Sequence, residues 1–247
     1  MERTLIIPAA GRGSRLQSDI PKVLYPIAGR PMLDHLLELY GVLVDEFVLV
    51  VSPDCEALVR RHCAAYGRIS YAIQAEADGM LPAILTAAPV IARQSPGSVW
   101  ITWCDQVAIR PATIRRLAVL SQTEPVPDLV FPTVRKTSPY IHFDRDHAGR
   151  ITAVRHRREG DTMPEIGEGD SGLFALSRDA YLEQLPAFAG EAGHGAATGE
   201  RNFLPFIPWL AQRGRVVTYA VEHEVESMGV NTKADAEDVE KYIATNA

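Results

Sequence analysis

Residues 4–32 read TLIIPAAGRGSRLQSDIPKVLYPIAGRPM. The stretch opens with the apolar run LIIPAA, which has the length of a buried strand, and a loop containing Gly11 and Gly13 follows it directly. Glycine permits positive φ and lets backbone N–H groups approach phosphate oxygens closely. Two cations, Arg15 and Lys22, come next. The stretch therefore predicts an anion-binding loop at the end of a buried strand.

The composition narrows the class of protein. The chain has 247 residues, 47% of them hydrophobic and 23% charged, which is typical of a globular protein. Its net charge of −6 argues against general binding to nucleic acid or to acidic membranes. The three cysteines form no Cys-x-x-Cys pair, and the sequence contains neither an apolar leader nor a membrane-length apolar run. We therefore expect a cytoplasmic protein without nucleic-acid or membrane partners.

Strand and helix signals alternate over the first 125 residues. The apolar runs TLIIPA, EFVLVVS, ISYAIQ and SVWITWCDQ read as strands, whereas PMLDHLLELYGVL, MLPAILTAAPVIAR and PATIRRLAVLSQ have helical spacing. This alternation predicts an α/β fold with a Rossmann-like, doubly wound sheet that is mostly parallel. Ligands of such sheets bind beyond the carboxyl ends of the strands, where both the glycine loop and Asp105 fall.

The second half has shorter strand signals. The segments DLVFPTV, YIHFDRD, RITAVRHR and SGLFALS read as strands, and the segment EGDTMPEIGEGD reads as a turn. This pattern predicts a mixed sheet with a smaller antiparallel layer. Because no linker or internal repeat is visible, we predict one domain over residues 1–247.

The glycine loop belongs to a longer motif. The string AAGRGSRLQSDIPKVLYPIAGRPM resembles the signature of the nucleotidyltransferases that make nucleoside-diphosphate sugars, with Ala-Ala-Gly-x-Gly-Ser/Thr-Arg, then Pro-Lys, then Gly-x-Pro-Met. The segments AIQAEADG, WCDQVAI, GDSGLFAL, GERNFLPFI and ESMGVNTKADAEDVE follow in the same order as in the uridylyltransferase part of bifunctional N-acetylglucosamine-1-phosphate uridylyltransferases. The hexapeptide-repeat β-helix of that family has no counterpart in these 247 residues.

The resemblance implies a division of labour. Residues 1–125 would form a nucleotide-binding half and residues 126–247 an acceptor-binding half. Arg15 and Lys22 would be the catalytic cations, and Asp105 and Asn231 would bind Mg²⁺. The residues that the resemblance assigns to the nucleotide are Ala9, Ala10, Gly11, Gly13, Gln74 and Gly79.

The implied chemistry suits these residue types. An acceptor phosphate would attack the α-phosphorus of a nucleoside triphosphate, with pyrophosphate as the leaving group. Charge then grows on phosphate oxygens, so fixed cations such as Arg15 and Lys22 are the main requirement. A phosphate monoester is largely dianionic at pH 7, so the step needs no general base. Carboxylate and amide oxygens are ligands that Mg²⁺ accepts.

Three departures from the family pattern leave the substrates open. The resemblance favours UTP, but Met80 stands where the family has a threonine, so CTP and dTTP stay possible. Arg155 replaces a sugar-contacting glutamate and Asp170 a sugar-contacting asparagine, so we assign both to the acceptor without fixing its identity. A sugar 1-phosphate is the favoured acceptor.

A basic segment leads to further alternatives. Residues 135–158 contain seven cationic side chains and two carboxylates. They form either a solvated strand face, paired with the acidic stretch EIGEGD, or a site for an acceptor with an extra anionic group. The rival functions are a cytidylyltransferase acting on a phosphonate or non-sugar phosphate, and a non-catalytic nucleotide or sugar-phosphate sensor. The oligomeric state is not evident from the sequence.

Overall fold

A computed structural model describes residues 2–11, 13–16 and 18–246. The first strand, β1 (Arg3–Pro8), lies in the interior of the sheet and is buried on both faces. Leu5 and Ile7 pack into the hydrophobic cluster on one face, and Ile6 packs into the cluster on the other. Alternation of side chains along a strand explains why the run LIIPAA is apolar throughout.

The strand bounds follow the chain. After β1 come β2 (Pro26–Ile27), β3 (Arg30–Pro31), β4 (Glu46–Val51), β5 (Ile69–Ile73), β6 (Ser98–Thr102), β7 (Leu129–Thr137), β8 (Ile141–Arg145), β9 (Ile151–His156), β10 (Ile166–Asp170), β11 (Leu173–Ser177) and β12 (Val216–Ala220).

The helix bounds complete the architecture. The α-helices are α1 (Met32–Tyr40), α2 (Pro53–His62), α3 (Met80–Thr86), α4 (Ala88–Gln94), α5 (Pro111–Leu120), α6 (Leu185–Glu191), α7 (Phe206–Ala211) and α8 (Lys233–Asn246). One hydrophobic cluster lies under α1, α2, α5 and α8, and the other lies under α3, α4, α6 and α7. Helices therefore cover both faces of the sheet, as the sequence predicts for a doubly wound fold.

The main sheet has the strand order β10-β7-β11-β6-β1-β4-β5, and β12 pairs with β7. Strands β5, β4, β1 and β6 are parallel to one another, whereas β11 runs antiparallel to both β6 and β7. Strands β8 and β9 form a separate antiparallel hairpin. The prediction of a mostly parallel mixed sheet with a smaller antiparallel layer is confirmed.

The predicted helix MLPAILTAAPVIAR is wrong in one respect, because the structure divides it into α3 and α4. Pro89 lies in the first turn of α4, where its missing N–H costs nothing; inside a continuous helix it would clash with the carbonyl of Leu85. The Thr86 hydroxyl donates to the carbonyl of Pro82 at the end of α3.

The prediction of a turn over EGDTMPEIGEGD is also wrong, because the second half of that segment forms β10. This strand pairs antiparallel with the end of β7, with Glu168 opposite Arg135. Its glycines lie where neighbours come close: a Cβ on Gly169 would lie 2.9 Å from the carbonyl oxygen of Ile141. The segment IGEGD shows no alternation of apolar and polar residues. It therefore forms a strand because β7 pairs with it, and its own sequence does not predict a strand.

Within the described part of the chain, no helix is both long enough and apolar enough to cross a membrane.

Candidate active site

The carboxyl ends of six strands lie along one edge of the sheet. Strands β1, β4, β5 and β6 run in one direction, and β7 and β12 share it because β11 is antiparallel to both β6 and β7. The glycine loop follows β1, and Asp105 follows β6. Asn231 lies beyond β12 at the same edge. This is the edge where open α/β sheets bind their ligands.

Four predicted residues meet at this edge. The Lys22 ammonium donates to a carboxylate oxygen of Asp105 and to the amide oxygen of Asn231, the latter at 2.9 Å. The Arg15 guanidinium donates to the same Asn231 oxygen at 2.7 Å. Arg15 is exposed, whereas the side chains of Lys22 and Asp105 are 12% and 14% exposed. Two cations and one carboxylate leave a net positive charge, which suits a polyphosphate.

The glycine loop fits closely against Lys22. Gly13 has a φ of +62°, and a Cβ there would lie 2.8 Å from the Cβ of Lys22, so only glycine allows this approach. The backbone of Ala9 is fixed by a hydrogen bond from its N–H to the carbonyl of Val50. Gly11 is exposed and faces open space, which leaves its backbone accessible to a ligand. Ala10, the remaining residue of the predicted cradle, is half-buried.

The Gly-Val-Asn segment is held by two attachments. The Val230 N–H donates to the carbonyl of Asp105 at 3.1 Å, and a Cβ on Gly229 would lie 3.2 Å from the Asp105 carboxyl. On the other side, the Asp235 carboxylate accepts the N–H groups of Asn231 and Thr232 at 3.0 and 2.7 Å. The Thr232 hydroxyl accepts the Asp235 N–H in return, so this reciprocal cap begins α8 and orients Asn231.

The donor set at Asp105 and Asn231 fits a hard cation. Their two side-chain oxygens converge on one positive group, the Lys22 ammonium, so both face a common point. Within the described residues, no cluster of three or more His, Cys, Asp or Glu offers a fuller cage. In phosphate-binding sites, Mg²⁺ is typically held by only a few protein oxygens, and waters and phosphate oxygens complete its coordination.

Gln74 and Gly79 lie together beyond β5. Gln74 is buried, and its side-chain amide donates to the carbonyl of Gly79 at 3.4 Å. Gly79 has a φ of +109°, and a Cβ there would lie within 2.6 Å of the carbonyl oxygen of Arg201. The close approach of Arg201 therefore explains the glycine, and the predicted contact of this segment with a base stays a prediction.

Asp170 lies at the end of β10, at the same edge. Its carboxylate accepts the N–H of Gly172 at 2.7 Å and a hydrogen bond from the Trp103 side chain. Burial raises the pKa of Asp170, although these hydrogen bonds and the nearby Lys136 ammonium oppose the shift. Lys136 itself donates to the Ser227 hydroxyl at 3.1 Å, four residues before Asn231.

Arg155 makes none of the contacts that unite Arg15, Lys22, Asp105 and Asn231. Its guanidinium forms a bidentate pair with Asp144 on the facing strand, at 2.8 and 2.9 Å, and donates to the carbonyl of Thr162. Its assignment to the acceptor stays a prediction, because the side chain already has a partner for its charge.

Other cations of the basic segment have partners within the chain. Arg145 forms a bidentate pair with Glu168, inside the acidic stretch EIGEGD. Arg150 pairs with Asp146, and Arg158 pairs with Glu200. These pairs favour the interpretation as a neutralised strand face over a site for an additional anion.

Sequence reasoning missed Asp235 and Lys136. The Thr-x-x-Asp spacing from Thr232 to Asp235 is a helix-capping signature, and this spacing could have identified Asp235. Nothing in the local pattern marks Lys136 among six neighbouring cations. Cys104, adjacent to Asp105, is no candidate nucleophile, because burial raises the pKa of its thiol to about 12.

The comparisons with known proteins agree with this fold. An α/β sheet with Arg15, Lys22, Asp105 and Asn231 at its carboxyl edge is the arrangement expected of a nucleotidyltransferase. The MobA-like NTP transferase domain family matches residues 5–201, and the chain belongs to this family.

Curated relatives carry the name bifunctional protein GlmU. The one from Pelobacter propionicus is 33% identical over 234 residues, covering 93% of this chain and 49% of the relative. The one from Cereibacter sphaeroides is 30% identical over 246 residues, covering 96% of this chain and 51% of the relative. The chain thus spans about half the length of the curated relatives that it matches.

The fold also matches a solved structure. A CMP:2-keto-3-deoxy-manno-octonic acid synthetase complexed with CTP superposes with a TM-score of 0.73 and covers 100% of both chains. At 17% identity, this likeness supports the fold alone.

Proposed function

We propose that the protein transfers a nucleoside monophosphate from a nucleoside triphosphate, UTP being favoured, to a sugar 1-phosphate and releases pyrophosphate. The observation that carries the proposal is the meeting of Arg15, Lys22, Asp105 and Asn231 at the carboxyl edge of the sheet. The family of NTP transferases and the relatives named GlmU support the same reaction class.

The cations would act on the triphosphate. Arg15 is exposed and has a planar guanidinium, so it is suited to bidentate binding of phosphate oxygens near the glycine loop. The Lys22 ammonium exchanges one of its present acceptors for an oxygen of the α-phosphate, where negative charge grows during attack. The backbone N–H groups around Gly11 and Gly13 orient the phosphates so that the attacking and leaving oxygens lie in line.

Asp105 and Asn231 would hold Mg²⁺ through their side-chain oxygens. When bound, the ion neutralises phosphate charge and polarises the phosphorus. The reciprocal cap between Thr232 and Asp235 keeps Asn231 in place, and the Asp105 backbone holds the neighbouring Val230. The chain thus presents a preorganised pair of oxygens rather than two mobile side chains.

The acceptor would bind between Asp105 and the end of β10. Asp170 replaces an amide with a carboxylate there, so it accepts hydrogen bonds from hydroxyl or N–H groups of the acceptor rather than donating them. Residues 126–247 would accordingly form the acceptor half of one domain, and residues 1–125 the nucleotide half.

The test is a crossed panel of triphosphates and acceptors, with pyrophosphate release as the measurement. We expect the largest kcat/KM with UTP and a sugar 1-phosphate, and no release after Mg²⁺ is removed with a chelator. Release with CTP and a phosphonate or non-sugar phosphate would identify the protein as a cytidylyltransferase instead. A tightly bound nucleotide with no release from any pair would support a sensor.

A further inference from the structure

A loop over residues 194–202 contacts both halves of the chain. Towards the nucleotide half, the Arg201 N–H donates to the carbonyl of Asp78 at 2.9 Å, and the Leu81 N–H donates to the carbonyl of Arg201 at 3.0 Å. Gly79 packs directly against the Arg201 backbone. The conformation of the segment beside Gln74 therefore depends on where this loop lies.

The loop is attached on its other side to Glu159. The Glu159 carboxylate accepts the N–H groups of Ala197 and Thr198 at 3.0 and 3.2 Å, together with the Thr198 hydroxyl. It also accepts the side-chain amide of Asn202 at 2.9 Å. A Cβ on Gly195 would lie 2.4 Å from a Glu159 oxygen, so the loop backbone wraps around the carboxylate.

The attachment joins the loop to the hairpin of β8 and β9. Glu159 follows β9 by three residues, and its neighbour Arg158 pairs with Glu200 of the loop at 2.9 Å. Four donors and one ion pair thus converge on two consecutive residues. A carboxylate offers about four lone-pair sites and satisfies such a set, whereas an amide of the same shape does not.

We propose that Glu159 is a positioning residue for nucleotide binding. Its carboxylate holds the loop over residues 194–202, and the Arg201 backbone of that loop fixes the segment from Asp78 to Leu81 next to Gln74. Glu159 itself touches no substrate. The inference rests on the proposed role of Gln74 and Gly79 at the nucleotide base, and it makes the hairpin that carries Arg155 a partner in forming the base site.

The first experiment measures amide hydrogen exchange in the full chain and in Glu159→Gln. The Leu81 and Arg201 N–H groups report directly, because each donates across the contact between loop and nucleotide half. We expect faster exchange at both amides in the variant. Unchanged exchange at Leu81 would overturn the proposal, because the loop would then hold the segment without Glu159.

The second experiment measures the binding of UTP with Mg²⁺ by calorimetry. We expect Kd to rise about 5- to 20-fold in Glu159→Gln, within the range usual for coupling between sites. Where the panel identifies a turnover substrate, KM for the triphosphate should rise while kcat changes less than about twofold. A fall in kcat with an unchanged Kd would contradict the positioning role.

Asp146→Asn is the matched control. The Asp146 carboxylate also accepts two backbone N–H groups and pairs with an arginine, but its contacts stay within the turn from β8 to β9. It should leave the exchange at Leu81 and the Kd of UTP unchanged. If Glu159→Gln does not fold, Thr198→Val removes one donor of the same set and should shift both readouts in the same direction. Neither measurement requires turnover, so both are independent of pyrophosphate release.

Discussion

Lys22 is the residue that connects the other side chains of the candidate site. Its ammonium lies between the Asp105 carboxylate and the Asn231 amide, whose oxygens are the ones that we propose as ligands of Mg²⁺. A lysine is a compact point charge on a flexible stem, so it can move from these oxygens to a phosphate without a change of backbone. Gly13 fits against its Cβ and so fixes the base of the side chain.

Replacement of Lys22 by alanine should lower kcat/KM by about 100- to 1000-fold, since it removes a positive charge aimed at the growing phosphate charge. The measurement is pyrophosphate release with the best substrate pair from the panel. The matched control is Lys241→Ala on α8, where the lysine forms an exposed pair with Asp238. An equal loss in both variants would show that Lys22 acts through stability rather than chemistry.

Among the secondary-structure elements, the bend between β10 and β11 connects the strand that ends at Asp170 to the core of the sheet. Gly172 has a φ of +70°, and a Cβ there would lie 2.5 Å from the Trp103 ring and 2.6 Å from the Gln106 side chain. Its N–H donates to Asp170, and its carbonyl accepts the Trp103 N–H. The hydrogen bond within this bend therefore fixes the orientation of the Asp170 carboxylate, and β11 continues into the sheet.

Gly172→Ala should lower the free energy of unfolding by roughly 2–4 kcal/mol, because a positive φ and an overpacked site each cost about 1–3 kcal/mol. The measurement is urea unfolding followed by circular dichroism. Gly160→Ala is the control, since Gly160 also has a positive φ, +87°, but its Cβ would meet nothing within 4 Å. Equal losses in the two variants would rule out the steric contribution at Gly172.

The sequence predicts those elements whose residues carry their own signal. The runs that form β1, β4 and β6 are apolar on both faces, so burial alone identifies them. Strand β10 consists of IGEGD and becomes a strand because the end of β7 pairs with it. The break between α3 and α4 depends on whether Pro89 lies inside a helix or at its start, which local spacing does not determine.

The same distinction applies to the site. Arg15, Lys22, Asp105 and Asn231 are visible because each lies in a motif next to a strand end. Glu159 is not, since its partners lie 38 to 43 residues further along a loop rich in glycine and alanine. The role proposed for Glu159 depends on the loop over residues 194–202 packing against it, and only the folded chain brings the two together.

Across the protein as a whole, three carboxylates of the second half have lowered pKa values. Hydrogen bonds from the loop hold the pKa of Glu159 at about 2. The Arg150 backbone and guanidinium lower the pKa of Asp146. Burial raises the pKa of Glu168, but hydrogen bonds from Arg145 and Thr133, together with the charge of Arg145, outweigh burial and lower this pKa. Each of these groups therefore stabilises the fold in its ionised form.

Stability should consequently fall in acid. A carboxylate with a lowered folded pKa contributes fully above its unfolded value and loses that contribution as the pH falls through the folded one. For Glu159, the loss should occur between about pH 4.5 and about pH 2. The urea midpoint should be lower at pH 3 than at pH 6, and Glu159→Gln should narrow the difference. An identical pH dependence in the variant would contradict this assignment.

Strand β11 has a consequence for how the molecule can be divided. It comes from the second half of the sequence, yet it lies between β6 of the first half and β7 of the second. If the chain were divided near residue 125, β6 would become an edge strand that is apolar on both faces. The backbone N–H and C=O groups that now pair with β11 would then lack partners. The boundary between the two halves of the sequence is thus a ladder of hydrogen bonds inside one continuous sheet, so we expect neither half to fold without the other.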